Sequence, residues 1–194
     1  MLIIFDQAYS IMKKTIFIFF ALGVLVVSQS KSQPLSIGLK GGLNLASVSG
    51  DLTGTENRVG FHAGILAKLQ ITSSYALQPE LIYSSQGWGS ETTDDKVSVN
   101  YLLIPVLGNF YLFDGLSLNV GPQIGFLLGT DNIDSDDIKG SDLAVALGVT
   151  YEFPVVPLLI SGRYNMGLNN INDQEDSEEI SNQVFQFSLG YKFL

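Results

Sequence analysis

Apolar and polar residues alternate along eight stretches of this chain, and the connections between the stretches are alternately long and short. Alternation at every second residue is typical of β-strands with one apolar and one polar face. Strands of about ten residues joined by short turns at one end and long loops at the other are typical of membrane-spanning barrels. The pattern therefore predicts an all-β fold, an eight-stranded antiparallel up-and-down transmembrane β-barrel. Its predicted strands are residues 35–45, 59–70, 75–84, 97–112, 116–128, 142–153, 158–168 and 183–194.

Alternation alone admits two barrels, because a soluble lipocalin-like barrel would bury the apolar face that a membrane barrel turns outward. The polar face here carries mainly Gly, Ala, Ser, Asn and Gln and few charges, whereas soluble surfaces are rich in Lys and Glu. Aromatic residues near strand ends also favour the membrane barrel, since they form girdles at the membrane interfaces. The tyrosines that we expect in these girdles are Tyr75, Tyr83, Tyr101, Tyr111, Tyr151, Tyr164 and Tyr191.

The fourth stretch breaks the alternation. Residues 101–107 are apolar on both faces, so the pattern does not assign which of them point inward. The register of this strand stays open at the level of sequence.

The N-terminus resembles an export signal, and the residues before Met12 fit no part of such a signal. Met12, Lys13 and Lys14 form a basic region, residues 16–27 are apolar, and Ser28, Ser30 and Ser32 offer small residues for cleavage. The alternative is an N-terminal membrane anchor, for which this apolar run is short. We expect residues 1–32 to be a signal peptide with its true start at Met12, and residues 33–194 to form the barrel domain.

Charge orients the predicted barrel. The chain has a net charge of −9, and most of its 19 carboxylates lie in the long connections, while the short turns are nearly uncharged. With an even number of strands both mature termini fall on the short-turn side, which we predict to be periplasmic, so the acidic loops face outward. The loop carboxylates are Asp51, Glu56, Glu91, Asp94, Asp95, Asp131, Asp134, Asp136, Asp137, Asp173, Glu175, Asp176, Glu178 and Glu179.

Acidic loops predict what the barrel contacts outside. They repel nucleic acid, and they suit divalent cations that also bridge lipopolysaccharide phosphates. The simpler alternative is that they are solvated loops that keep the exterior soluble.

Ionisable residues on the polar face predict a network in the lumen. A low-dielectric interior does not tolerate unpaired charge, so we expect Arg163 to pair with Glu80 or Glu152 and the lumen to be filled by a polar plug. Removal of Arg163 should then destabilise the fold. The functional alternative is a gated path for protons or small ions. The predicted lumen residues are Lys40, Lys68, Gln78, Glu80, Asn119, Gln123, Glu152, Arg163, Gln186 and Lys192.

Candidate catalytic and metal-binding residues are few. His62 is the only histidine, and no serine lies two positions away on its face, which favours a lumen or rim histidine without a catalytic role. Residues 132–137 resemble the start of a calcium loop, but Asp137 stands where glycine is required and Leu143 where glutamate is required. The chain has no cysteine, which excludes disulfides, thiolate metal sites, a catalytic thiol and a lipidated N-terminal cysteine. We expect no enzyme activity, cofactor or metal site.

Six segments carry a resemblance to a known family. They are residues 38–44 (GLKGGLN), 60–64 (GFHAG), 77–84 (LQPELIYS), 101–105 (YLLIP), 121–125 (GPQIG) and 187–193 (FSLGYKF). With these segments the chain resembles the PorT-like outer-membrane β-barrel family of Bacteroidetes-type bacteria. The resemblance implies an eight-stranded outer-membrane barrel and little chemistry, and the founding member's association with secretion and gliding is not carried over. One departure is that Phe193 is penultimate, whereas such barrels usually end on an aromatic residue.

Together these observations predict a non-enzymatic, monomeric outer-membrane barrel of a Gram-negative bacterium. We expect a plugged polar lumen, acidic extracellular loops and a structural or surface-interaction role, with outer-membrane lipid and lipopolysaccharide as partners. The alternatives are a narrow pore or a transport or secretion accessory. Less favoured are a lipid-modifying barrel enzyme and a soluble lipocalin-like binder.

Overall fold

The alternating stretches form eight antiparallel strands that pair in chain order and close into a barrel, which confirms the predicted fold. A computed structural model describes residues 35–50, 55–90, 96–131, 138–169 and 180–193. The strands are β1 (Leu35–Gly50), β2 (Thr55–Thr72), β3 (Tyr75–Ser90), β4 (Lys96–Phe113), β5 (Leu116–Asp131), β6 (Ser141–Glu152), β7 (Leu158–Gly167) and β8 (Ile180–Lys192). Pairing of β1 with β8, for example Leu43 with Phe187, closes the barrel.

Several predictions fall on other parts of the chain. The predicted signal peptide, the calcium-like segment 132–137 and most of the acidic loop residues lie outside the described residues. Within the described ranges, no helix has both the length and the apolar character needed to cross a membrane.

Several strands are longer than the alternation predicted. β1 continues to Gly50, β3 to Ser90, and β5 to Asp131, which the sequence had placed in a loop. Apolar alternation marks only the part of a strand that faces an apolar layer, whereas backbone pairing continues beyond it, as between Gly89 and Lys96. The long connections are correspondingly shorter than expected.

The faces of the strands are those of a membrane barrel. Leu43 on β1 is 57% exposed on the outer surface, whereas its neighbour Asn44 is fully buried inside. Phe187 and Gln186 on β8 show the same contrast. A soluble lipocalin-like barrel requires the reverse arrangement.

The barrel interior differs between its two ends. We call the end with the tight connections at residues 73–74, 114–115 and 153–157 the short-turn end, and the opposite end the long-loop end. Near the long-loop end the interior holds an apolar cluster, which we call the apolar seal: Ile82, Val99, Tyr101, Leu103 and Ile138. Towards the short-turn end the buried side chains are mainly polar.

The apolar seal explains the strand whose register the sequence left open. On β4, Tyr101, Leu103 and Leu107 point inward, while Ile104 and Val106 face outward. The inner face of this strand is apolar at Tyr101 and Leu103 because these two side chains belong to the seal.

Two of the predicted girdle tyrosines point inward, so that part of the prediction was wrong. Tyr101 is completely buried in the apolar seal. The hydroxyl of Tyr111 donates a hydrogen bond to Glu152 Oε1 at 2.8 Å. Near strand ends a tyrosine fits the outer interface and the barrel mouth equally well, since its ring is apolar and its hydroxyl polar. Outer-surface aromatic pairs do occur, as at Phe61 and Tyr83, whose ring centroids are 5.6 Å apart.

Candidate functional site in the barrel interior

The centre of the interior is built around the carboxylate of Glu80. Arg163 Nη1 donates to Glu80 Oε2 at 2.8 Å and Nη2 donates to Oε1 at 2.9 Å, a two-point contact across the lumen from β7 to β3. Lys40 Nζ donates to Oε2 at 3.1 Å, and Gln78 Nε2 donates to Oε1 at 2.6 Å. Of the two partners proposed for Arg163, Glu80 is therefore the one that it contacts. Two cations share this carboxylate, and the side chains of all three are at most 3% exposed.

A chain of amides extends this cluster around the barrel wall. Asn109 Nδ2 donates to Gln78 Oε1 at 2.8 Å, and Asn119 Nδ2 donates to Asn109 Oδ1 at 2.5 Å. Thr150 Oγ1 then donates to Asn119 Oδ1 at 2.7 Å. Each link joins neighbouring strands from β3 to β6, so Glu80 is tied to most of the barrel circumference. Such a connected network restrains side chains collectively, because each hydrogen bond orients the next.

A second ionic cluster lies at the short-turn end around Glu152. Its carboxylate accepts hydrogen bonds from Lys68, from Tyr111 and, at 2.6 Å, from Lys192 Nζ. Glu152 and Lys192 also line an open cavity of ≈ 590 Å³ at this end of the barrel. This cluster is therefore reached by solvent, whereas the Glu80 cluster is not.

His62 joins the first and last strands of the barrel. The two hydrogens of Asn44 Nδ2 are shared among three acceptors, the carbonyl of Phe61 at 3.0 Å, Ser84 Oγ at 2.9 Å and the carbonyl of Ser85 at 2.8 Å, which leaves Asn44 Oδ1 to accept. His62 Nδ1, 2.8 Å from that oxygen, must then carry the proton. Nε2 therefore accepts the hydroxyl hydrogen of Ser188, at 2.8 Å. The histidine thus links β1, β2 and β8 across the closing seam.

The order Ser188, His62, Asn44 matches that of a catalytic serine relay, but its location does not. Nucleophilic catalysis requires a serine that substrate can reach. Here Asn44 is fully buried, His62 is 1% exposed and Ser188 is 7% exposed. The relay is a structural cross-link, and Ser188 lies 126 positions from His62 along the chain, on another strand of the inner face.

Gly42 makes the His62–Ser188 hydrogen bond possible. Both residues pair with Gly42, one from each neighbouring strand, so their side chains meet over its backbone. A Cβ atom on Gly42 would overlap the carbonyl oxygen of Phe187. Gly42 is therefore a point of close approach between neighbouring chains.

Substituting Gly42 by alanine is expected to destabilise the barrel by about 1–3 kcal/mol, because the added methyl forces neighbouring backbone to move. Urea unfolding in lipid vesicles, followed by the fluorescence of Trp88, measures this loss; Trp88 is the only tryptophan and packs against the apolar seal. Gly41→Ala is the matched control, since its Cβ would come no closer than 3.4 Å to the His62 carbonyl oxygen. Equal stability of the two variants would contradict the close-approach role of Gly42.

The predicted lumen residues all lie inside the barrel, although Lys192 is only partly buried. The network also contains residues that the sequence did not assign to it, above all Asn44, Asn109, Asp142 and Asn182. Asn44 and Asp142 could have been found by their position on the polar face. Asn109 could not, because the register of β4 was open. In the part of the chain that the structure describes, no group of three or more His, Cys, Asp or Glu side chains could hold a metal ion.

Comparison with known proteins agrees with this architecture. The sequence profile of the family described as "Outer membrane protein beta-barrel domain" matches residues 27–173. The fold is similar to that of Neisserial surface protein A (TM-score 0.55, 14% identity), over 83% of this chain and 100% of that protein. It is also similar to Ail, the attachment invasion locus protein of Yersinia pestis (TM-score 0.52, 14% identity), over 84% and 100%. At such identities the likeness shows the fold alone. Among curated proteins, no sequence matches this chain.

Proposed function

This chain belongs to the outer membrane protein beta-barrel domain family, and from that premise we propose that it acts as a non-enzymatic scaffold with a plugged lumen. Family membership places it in the outer membrane of a Gram-negative bacterium. The single observation that carries the proposal is the contact of Glu80 with Arg163, Lys40 and Gln78, which occupies the middle of the lumen with buried side chains. Eight-stranded barrels leave just enough interior space for side chains. A network of this kind supports a rigid barrel without a wide channel.

The proposed role of the scaffold is to hold the acidic loops at the cell surface. The long connections carry most of the carboxylates, and their charge suits divalent cations that bridge the phosphates of lipopolysaccharide. A structural or surface-interaction role follows, with outer-membrane lipid and lipopolysaccharide as contacts. The closed pairing of β1 with β8 within one chain supports a monomer.

The orientation and processing of the chain are part of the proposal. Residues 1–32 serve as a signal peptide that starts at Met12, and both mature termini lie in the periplasm. The motifs shared with PorT-like barrels favour that branch of the family, in bacteria of the Bacteroidetes type. A secretion or transport accessory, and a narrow pore, are the competing roles.

A planar-bilayer recording separates the plugged scaffold from the pore. The purified protein is expected to produce no conductance steps, because the Glu80 cluster blocks the lumen with side chains that stabilise each other. Folding of the same preparation is checked by heat-modifiable migration on a detergent gel, in which a closed barrel migrates differently before and after boiling. Steps of uniform size from a preparation that is fully heat-modifiable would establish the pore instead.

A further inference from the structure

The open cavity at the short-turn end lies where three turns and the end of β8 meet. Its wall combines inner-face side chains, such as Tyr111 and Glu152, with Ser73 and Ser74 of the turn between β2 and β3. Lys192 lines the same cavity. Cavities of about 300–1,000 Å³ hold small molecules in other proteins. At ≈ 590 Å³ this one is therefore large enough for a ligand, and a cation forms part of its wall.

The ion pairs beside this cavity leave positive charge uncompensated. Lys68 and Lys192 both contact the carboxylate of Glu152, so two cations share one anion. The Glu80 cluster at the centre of the interior has the same ratio. The four cations and two carboxylates of the two clusters leave a surplus of two positive charges. A concave site with low-dielectric walls focuses such a field and concentrates anions.

Lys192 has hydrogens left to donate into the cavity. Its ammonium group carries three, and within the described ranges its one acceptor is Glu152 Oε2, at 2.6 Å. The hydroxyls of Ser73 and Ser74 belong to the same wall and can donate as well. Lys68 is buried behind the wall, so it adds positive charge without direct contact with a ligand.

We propose that this cavity binds a phosphate group, with Lys192 as its cationic contact and Ser73 and Ser74 as hydroxyl donors. Phosphate suits the site because its oxygens accept hydrogen bonds from several directions, and lysine binds phosphate as a point charge. Free phosphate and the headgroup of an anionic lipid both supply this group. The inference goes beyond the proposed surface role, since it concerns the opposite end of the barrel.

One carboxylate in the cavity wall opposes the binding of an anion. Asp114, in the turn between β4 and β5, lines the cavity and is exposed to solvent. Water and salt screen exposed charges, so its repulsion is weaker than the attraction of the less exposed Lys192. Asp114→Asn is therefore expected to strengthen phosphate binding by roughly threefold, the effect of one exposed charge.

A titration with inorganic phosphate tests the site. Phosphate is added to the folded protein in dodecyl maltoside, a detergent without phosphate, and the reference is sodium chloride at equal ionic strength. In nuclear magnetic resonance spectra, the amide signals of Ser74 and Gly115, which line the cavity, should shift until they saturate. The amide of Gly140, exposed at the long-loop end, should not shift. Equal shifts with chloride, or equal shifts at Gly140, would refute the site.

Three lysine variants make the result specific. Lys192→Met should weaken phosphate binding by about tenfold, because a hydrogen bond from a charged donor is lost. Lys192→Arg keeps the charge and should retain most of the affinity. Lys139→Met removes a lysine from the connection between β5 and β6, at the long-loop end, and should change nothing. Heat-modifiable migration shows that each variant is folded. Unchanged affinity in Lys192→Met, or an equal loss in Lys139→Met, would contradict the proposal.

Phosphatidylglycerol added to the same micelles separates the two sources of the phosphate group. If the lipid shifts Ser74 and Gly115 and these shifts are lost in Lys192→Met, a lipid headgroup is the ligand. If inorganic phosphate shifts them and the lipid does not, free phosphate is the ligand. If neither probe shifts them, the cavity does not bind phosphate and the proposal is wrong.

Discussion

Replacing Glu80 by glutamine is expected to lower the free energy of unfolding by about 3–5 kcal/mol, the usual cost of breaking a buried ion pair. The substitution preserves shape, but it leaves Arg163 and Lys40 as two buried cations without their shared carboxylate. The glutamine amide also presents a donor where Arg163 needs an acceptor. Urea unfolding in lipid vesicles, followed by Trp88 fluorescence and by heat-modifiable migration, measures the loss.

Two variants control for this prediction. Arg163→Met should lower the free energy of unfolding by less than Glu80→Gln does, because Lys40 still neutralises the carboxylate and only the two hydrogen bonds of the guanidinium disappear. Glu152→Gln is the same substitution in the other ionic cluster. It should also lower the free energy of unfolding by less than Glu80→Gln does. Lys192 is 23% exposed, and the cluster lines an open cavity, so water screens the charges that remain. If all three variants lose the same free energy of unfolding, the Glu80 cluster is not the main source of stability in the interior.

Replacing Val120 by arginine is expected to destabilise the folded barrel in lipid by about 2–4 kcal/mol, the cost of a basic side chain on the lipid face near the bilayer midplane. Val120 lies on the outer face of β5, 41% exposed, among the apolar residues that we assign to the acyl chains. The measurement is the urea midpoint in vesicles, together with the fraction of protein that inserts.

The matched control is Val155→Arg. Val155 is 94% exposed in the turn between β6 and β7, outside the strands, so the same change should alter stability by less than about 0.5 kcal/mol. A lipid-phase photoprobe gives the complementary result, with label on Leu118 and Val120 and none on Asn119 or Gln123. Label on the polar pair, or tolerance of arginine at Val120, would mean that the faces are reversed.

The fold was predictable because every strand except β4 carries its own alternation of apolar and polar residues. On β5, Leu118 and Val120 point outward and Asn119 points inward, as their alternation predicted. The prediction failed where one side-chain type suits two environments. Tyr111 donates to Glu152 inside the barrel mouth, yet an interfacial tyrosine on the outer face would look identical in sequence.

The lumen network was predictable in part of its membership, but its contacts were not predictable. Lys40 was placed inside by the polar face of β1, but its partner Glu80 lies 40 positions along the chain. His62 was placed inside as well, while its serine partner belongs to β8. Polarity assigns a residue to the inner face and contains no information on which residue across the lumen it meets.

By itself, the sequence determined the number of strands, their order and the face on which each alternating residue lies. These properties follow from local chain geometry, since side chains of a strand point to opposite sides in turn. Only the tertiary structure decided the register of β4, the partner of Arg163 and the approach of His62 to Ser188 over Gly42. The reason is that closing a sheet into a barrel staggers each strand against the next, and that stagger is set by all eight strands together.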